Sequence, residues 1–208
     1  MHLKALHLVH FKNYTEQRLV LSPQINCFIG DNGMGKTNLL DAIHYLCMCK
    51  SHFSLLDRQV VQHEADFFRI QGIFDRLERE ETIVCTYAPS VRKTLSRNRV
   101  PYSRLADHIG LLPLIMIAPD DTLLITEGSE HRRQFLDILL VQYDPVYLRQ
   151  LMSYNKVLQQ RNAFLKSFRH PLEIDTTLLE VYNRQLLAPA AYIHQQRQQM
   201  VERLIPLF

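Results

Sequence analysis

Gly30-Asp31-Asn32-Gly33-Met34-Gly35-Lys36-Thr37 satisfies the pattern G-x-x-x-x-G-K-[ST]. Each residue type in it answers a physical need. The glycines permit backbone dihedrals that turn successive N–H groups inward, and they leave no side chain in the way of a phosphate. A helix starting at the end of the loop would point its positive end at the same anion. Lys36 would then reach the β- and γ-phosphates, and the Thr37 hydroxyl would take one position on Mg²⁺. The flanks suit this reading. Gln24 to Ile29 is a compact apolar run ending at Gly30, as expected of a buried strand feeding a loop. Leu39, Leu40, Ile43, Leu46 and Cys47 recur at helical spacing, so an amphipathic helix is expected from Thr37 to about Lys50. At average residue frequencies the pattern arises by chance in fewer than about one per cent of chains this long. The fold class is therefore α/β, a P-loop NTPase, with ATP and Mg²⁺ as the expected ligands and Gly30 to Thr37 as the residues that hold them.

The composition bounds the rest. The chain has 208 residues, 47% hydrophobic and 22% charged, an ordinary globular balance that excludes wholesale disorder. No apolar run approaches the ~18–20 residues that a membrane span requires, and the N-terminus has no signal-peptide pattern. Cys27, Cys47, Cys49 and Cys85 form no CxxC pair and read as small core hydrophobes in a reducing compartment. A cytoplasmic location is expected. The net charge of +3 permits an anionic partner without demanding one.

Strand-like runs fill the first half: Leu3 to Leu8, Gln17 to Leu21, Phe68 to Ile70 and Ile83 to Tyr87, with Leu112 to Ile117 expected as a second buried strand. From Glu130 onward the pattern is helical. Asp144 is placed as an N-cap and Pro145 at the first helical position, Pro171 marks a break, and Pro189 predicts a kink in a last helix whose apolar residues recur every seven. Two domains are expected, a nucleotide-binding α/β lobe over 1–126 and a helical lobe over 127–208. The helical pattern runs almost to Phe208, so the helical lobe is expected to be incomplete at its C-terminus.

Hydrolysis of ATP needs more than the loop: a second Mg²⁺ ligand and a carboxylate that positions water. Asp120 and Asp121 follow a hydrophobic run, but Ala118-Pro119 intervenes, and a turn leading to Leu123–Ile125 is the plainer reading. Around the loop, several stretches stand in a telling order: Phe11-Lys12-Asn13-Tyr14, Gly30 to Ile43, Pro119-Asp120, Arg132 to Asp137, Asp144 to Leu148 and Gln160 to Ala163. In these the chain resembles the N-terminal part of the RecF family of bacterial recombination-mediator ATPases, relatives of ABC- and SMC-type heads. The resemblance implies an ABC-type head lobe with a mixed sheet, followed by a truncated helical lobe. It implies an ATP-dependent homodimer that engages gapped or single-stranded DNA and its junctions, acts with recombination-mediator partner proteins and promotes recombinase loading. It also brings Lys12 and Asn13 near the base or ribose. The family's signature motif and acid-ended strand lie further along than this chain reaches, so ATP binding without efficient hydrolysis is expected of it. Phe53 stands where the family leads one to expect arginine, and Arg99 where a turn glycine is common.

Ser90 to Arg104 holds Arg92, Lys93, Arg97, Arg99 and Arg104 with no acid. These, with Arg132 and Arg133, are candidate contacts for DNA phosphates. The plainer reading is an edge hairpin whose charges discourage aggregation, with Arg132 and Arg133 pairing locally with Glu127 and Glu130. Lys166, Arg169 and His170 read as helix-end charges. The ten histidines include no metal-binding pair. Two other functions remain open: a nucleotide-regulated interaction module in which ATP is a ligand and is not turned over, and a small-molecule kinase, which the long apolar helical stripes disfavour.

Overall fold

A computed structural model describes residues 1–168 and 176–207. The expected break at Pro171 and the end charges at Arg169 and His170 lie outside the described residues. The chain forms two compact units, Met1–Met116 and Ile117–Phe208, so the segment between Ile117 and the expected 126/127 boundary goes with the helices.

In the first unit, alternating apolar residues make a sheet with one dry face. The strands are β1 (His2–Phe11), β2 (Tyr14–Val20), β3 (Phe68–Arg76), β4 (Arg79–Ala88), β5 (Val91–Arg97) and β6 (Val100–Pro101), in the order β2-β1-β3-β4-β5-β6. All five pairings are antiparallel. Phe68, Ile70 and Phe74 of β3 and Ile83 and Cys85 of β4 are buried at every second position, the period that places them on one face. Helix α1 (Lys36–Met48) covers that face with Leu39, Ala42, Tyr45 and Leu46. Phe11, Tyr45 and Phe68 meet edge to face, with centroids 5.2–6.3 Å apart.

The two runs expected as buried strands lie outside this sheet. Gln24 to Ile29 has no strand assignment, and Ile25 and Ile29 are 79% and 94% exposed. Over Leu112 to Ile117 only Leu112 is buried, while Ile115 and Ile117 are 77% and 84% exposed. A strand apolar on both faces is buried only when neighbours pair with both its edges and layers cover both its faces. Among the described residues the six strands pair with one another in a single sheet, and neither run is assigned to a strand in it. Cys27, on the first run, is accordingly exposed, whereas Cys47, Cys49 and Cys85 are buried thiols as expected.

The second unit is helical: α2 (Leu123–Thr126), α3 (Ser129–Tyr143), α4 (Pro145–Lys166) and α5 (Thr176–Leu204). Asp144 caps α4 as its sequence predicts, its carboxylate accepting from the Val146 N–H at 2.7 Å, with Pro145 at the first turn. Arg161 to Asn183 and Asp144 to Tyr192 are bonded across α4 and α5, which run antiparallel. Asp137 of α3 holds Arg197 of α5 through two bonds of 2.8–2.9 Å and accepts from the Tyr147 hydroxyl of α4. Pro189 is buried and does not end α5.

Candidate nucleotide-binding site

Helix α1 begins in an unusual way. Its N-cap is Gly35, at φ +97°, with no side-chain cap and no acid in the first turn. The amides of a first turn have no acceptor within their own helix, and most helices satisfy them with Ser, Thr, Asp or Asn. Here the positive end is left open to an anion. Gly33 is also left-handed, at φ +83°. A Cβ added at Gly30 or Gly33 would meet nothing within 4 Å, so the space beside the loop is open. Lys36 curls back across it, its Nζ donating to the carbonyls of Gly30 and Asp31 at 2.7 Å each. Asp31, Asn32 and Met34 are exposed loop positions, and Thr37 is exposed on the first turn of α1.

This donor set fits a triphosphate: open glycine backbone, an uncapped helix start and one ammonium group. Among the described residues no group of three or more His, Cys, Asp or Glu is placed to hold a metal. A Mg²⁺ ion beside the loop would meet the Thr37 hydroxyl and the phosphates of the nucleotide.

The β1–β2 turn lies against the loop. Lys12 Nζ pairs at 2.6 Å with Asp41, a fully buried carboxylate that also accepts from the Ser51 hydroxyl and the His52 N–H at 2.7 Å each. The Phe53 ring lies 5.4 Å from the same ammonium, so this aromatic contacts Lys12 where the family pattern suggested a further cation. Asn13 donates to the Met34 carbonyl at 3.2 Å and accepts from Asn38 at 2.8 Å. Tyr14 donates to the Gly35 carbonyl at 3.1 Å, and burial pushes its hydroxyl pKa up. Lys12 and Asn13 are thus engaged with protein atoms beside the loop. Sequence reasoning gave no role to Tyr14, Asn38 or Asp41, although all three sit in the stretches that carry the family resemblance.

The basic residues divide into two kinds. Lys93 is turned inward: its Nζ donates to Asp57 at 2.8 Å, to the Cys49 carbonyl at 2.7 Å and to the Tyr45 hydroxyl at 3.2 Å. Arg97 forks onto Glu81, which also accepts from Asn98 at 2.7 Å, and the guanidinium holds that carboxyl down at about 2. Arg132 donates to the carbonyls of Leu124 and Glu127 at 3.1 Å, and Arg133 to the Ser129 hydroxyl at 2.6 Å. Arg92 and Arg99 are exposed, with no partner among the described residues. No local signal marks Lys93 as internal, because Asp57 lies far away in sequence. In the second unit Asp121 accepts from the Ala118 N–H at 2.7 Å and closes its own turn, the plainer of the two readings of that segment.

Comparison with known proteins gives a consistent result. A family model described as an AAA ATPase domain matches residues 1–181. The DNA replication and repair protein RecF of Parabacteroides distasonis is 44% identical over the whole chain, and that of Flavobacterium johnsoniae 43%. The chain spans 56% and 58% of their lengths. A solved structure of the recombination mediator protein RecF with ATP superposes with a TM-score of 0.89 at 28% identity, over 98% of this chain and 54% of that one. An SMC ATPase head shares the fold at a TM-score of 0.56 and 20% identity, over 67% of this chain and 99% of that one.

Proposed function

Because the chain belongs to the AAA ATPase domain family, on its RecF-like branch, we propose that it binds Mg²⁺–ATP at residues 30–37 as part of a protein of recombinational repair and replication. The observation that carries this reading is the start of α1, where a left-handed glycine stands in place of a capping side chain and Lys36 arches over the open loop. On this reading the amides following Gly33 and the Lys36 ammonium hold the β- and γ-phosphates, and the Thr37 hydroxyl meets the metal. Mg²⁺ supplies neutralisation of the phosphate charge when bound.

In a protein of RecF length, ATP then drives homodimerisation, and the dimer engages gapped or single-stranded DNA and its junctions in the cytoplasm. It acts there with recombination-mediator partners to promote recombinase loading. The exposed Arg92 and Arg99 supply DNA phosphate contacts. The exposed apolar side chains of Ile25, Ile29, Ile115 and Ile117 are surface that the remainder of such a protein covers. The engagement of Asp121 within its own turn favours ATP as a bound ligand that this chain alone does not turn over.

Titration of the purified chain with Mg²⁺–ATP tests the reading. Lys36→Ala is expected to weaken binding at least tenfold, the loss of about one charge-assisted hydrogen bond, while the unaltered chain shows negligible turnover and stays monomeric with ATP. Equal affinity in the two proteins would sink the proposed site. Multiple turnover abolished by Lys36→Ala would overturn the statement that this chain holds too little for catalysis.

A further inference from the structure

The turn joining β1 to β2 has two residues between the paired Phe11 and Tyr14, and Lys12 within it is left-handed at φ +51°. A side-chain-bearing residue holds that conformation only where its surroundings fix it. Here the Lys12 N–H donates to the Val60 carbonyl at 2.8 Å, and its ammonium is bound to buried Asp41. The turn is therefore anchored on two sides before it reaches the loop.

From that anchored position Asn13 uses both ends of its amide. The Met34 carbonyl can only accept, so the Asn13 nitrogen must face it, and the Asn13 oxygen is then left to accept from Asn38 on α1. Tyr14 takes the next carbonyl, that of Gly35, which also receives the Leu39 N–H at 2.9 Å. Two consecutive peptide units, Met34–Gly35 and Gly35–Lys36, are thus held by their oxygens on the hairpin side. In a trans peptide the C=O and N–H point opposite ways. The Gly35 and Lys36 N–H groups are consequently aimed to the other side of the loop. A Cβ at Gly35 would stand 2.5 Å from the Asn13 nitrogen, so the approach requires glycine there as well.

We propose that Asn13 is a positioning residue, assisted by Tyr14 and Asn38, which sets the orientation of these two peptide units and so aims their amides at a phosphate without touching the nucleotide. The proposal rests on residues 30–37 being the ATP site.

The test compares Mg²⁺–ATP with inorganic tripolyphosphate, which has no base or ribose, in titrations of the purified chain, with backbone amide NMR spectra of the ligand-free protein. Asn13→Ala is expected to weaken both ligands by the same factor, about tenfold for two hydrogen bonds. It should move the amide signals of residues 33–38 while leaving those of the sheet in place. Asn38→Ala should weaken both ligands equally but less, and the two changes together should fall short of the product of their separate effects. Loss confined to ATP would mean that Asn13 touches the nucleoside, and would overturn the proposal. Unchanged affinity for both ligands, or signal changes spread through the sheet, would overturn it too. Should Asn13→Ala fail to fold, Asn38→Ala decides by the same comparison of the two ligands. Lys36→Ala separates the levels: if it leaves ATP binding intact, the site reading itself has failed, whereas a loss there with unaltered binding in Asn13→Ala removes only the role of Asn13.

Discussion

Asn98 and Arg99 close the β5–β6 turn with both residues left-handed, at φ +52° and +70°. Asn is among the few residues that tolerate that region, and here its side chain is also held by β4, its oxygen accepting from the Thr82 N–H at 2.8 Å. Arginine has no such compensation, and the conformation costs about 1 kcal/mol relative to glycine. Arg99→Gly is therefore expected to stabilise the chain by about 0.5–1 kcal/mol, seen as a rise of about 2 °C in melting temperature. If Arg99 meets DNA phosphates, the same change should weaken retention of short DNA at low salt and reduce the salt slope. A lower melting temperature would show that the Arg99 side chain holds the turn in some way its exposure does not suggest. The five cations between Ser90 and Arg104 look alike in sequence. Folding gives them different surroundings, because Lys93 finds Asp57 and Arg97 finds Glu81.

Helix α1 approaches the sheet closely because β3 carries Gly72 beneath it. A Cβ at that position would lie 2.7 Å from Leu46 of α1 and 2.7 Å from Phe74. Gly72→Ala should therefore overpack the interface and destabilise the first unit by about 1–3 kcal/mol, measurable as a lower denaturant midpoint with an unchanged slope. Because α1 begins at the phosphate loop, ATP affinity should fall with it. A neutral outcome would mean that Leu46 repacks freely, and that the loop does not depend on how tightly α1 is seated. The elements themselves were largely legible. Apolar spacing marked α1, α3, α4 and α5, strand-like runs marked β1 to β4, and Asp144-Pro145 marked the start of α4. The runs 24–29 and 112–117 were not, since an apolar pattern states what a segment needs to bury and says nothing of whether a neighbouring strand is present.

The molecule as a whole should lose stability in acid in two separate windows. His44 and His108 are buried and donate to carbonyls, His44 Nδ1 to Lys50 at 3.0 Å and His108 Nε2 to Leu46 at 2.7 Å. Burial pushes both pKa values below the ordinary histidine value. The unfolded chain therefore binds more protons than the folded one below about pH 6.5, and stability falls as pH drops through that value. Glu81, held down at about 2 by Arg97, contributes stability that is complete above its ordinary value of 4.5 and is lost between there and about 2. Melting temperature should be level between about pH 7 and 8, decline from about pH 6.5 downward and decline again below about pH 4.5. His108→Gln should flatten the first decline. A melting temperature independent of pH between 7.5 and 5.5 would contradict the buried, neutral state of both rings.

The order of residues alone was enough for the loop, its lysine, the helix that follows and the family, because these depend on neighbours within a few positions, where glycine freedom, helical spacing and capping act. Three-dimensional packing assigned what depends on distant partners: Asp41 to Lys12, Asn13 to the Met34 carbonyl, Asp57 to Lys93 and Asp137 to Arg197. An ion pair or hydrogen bond is fixed by proximity in space, and no local pattern records which charge a folded chain will bring within 3 Å of another.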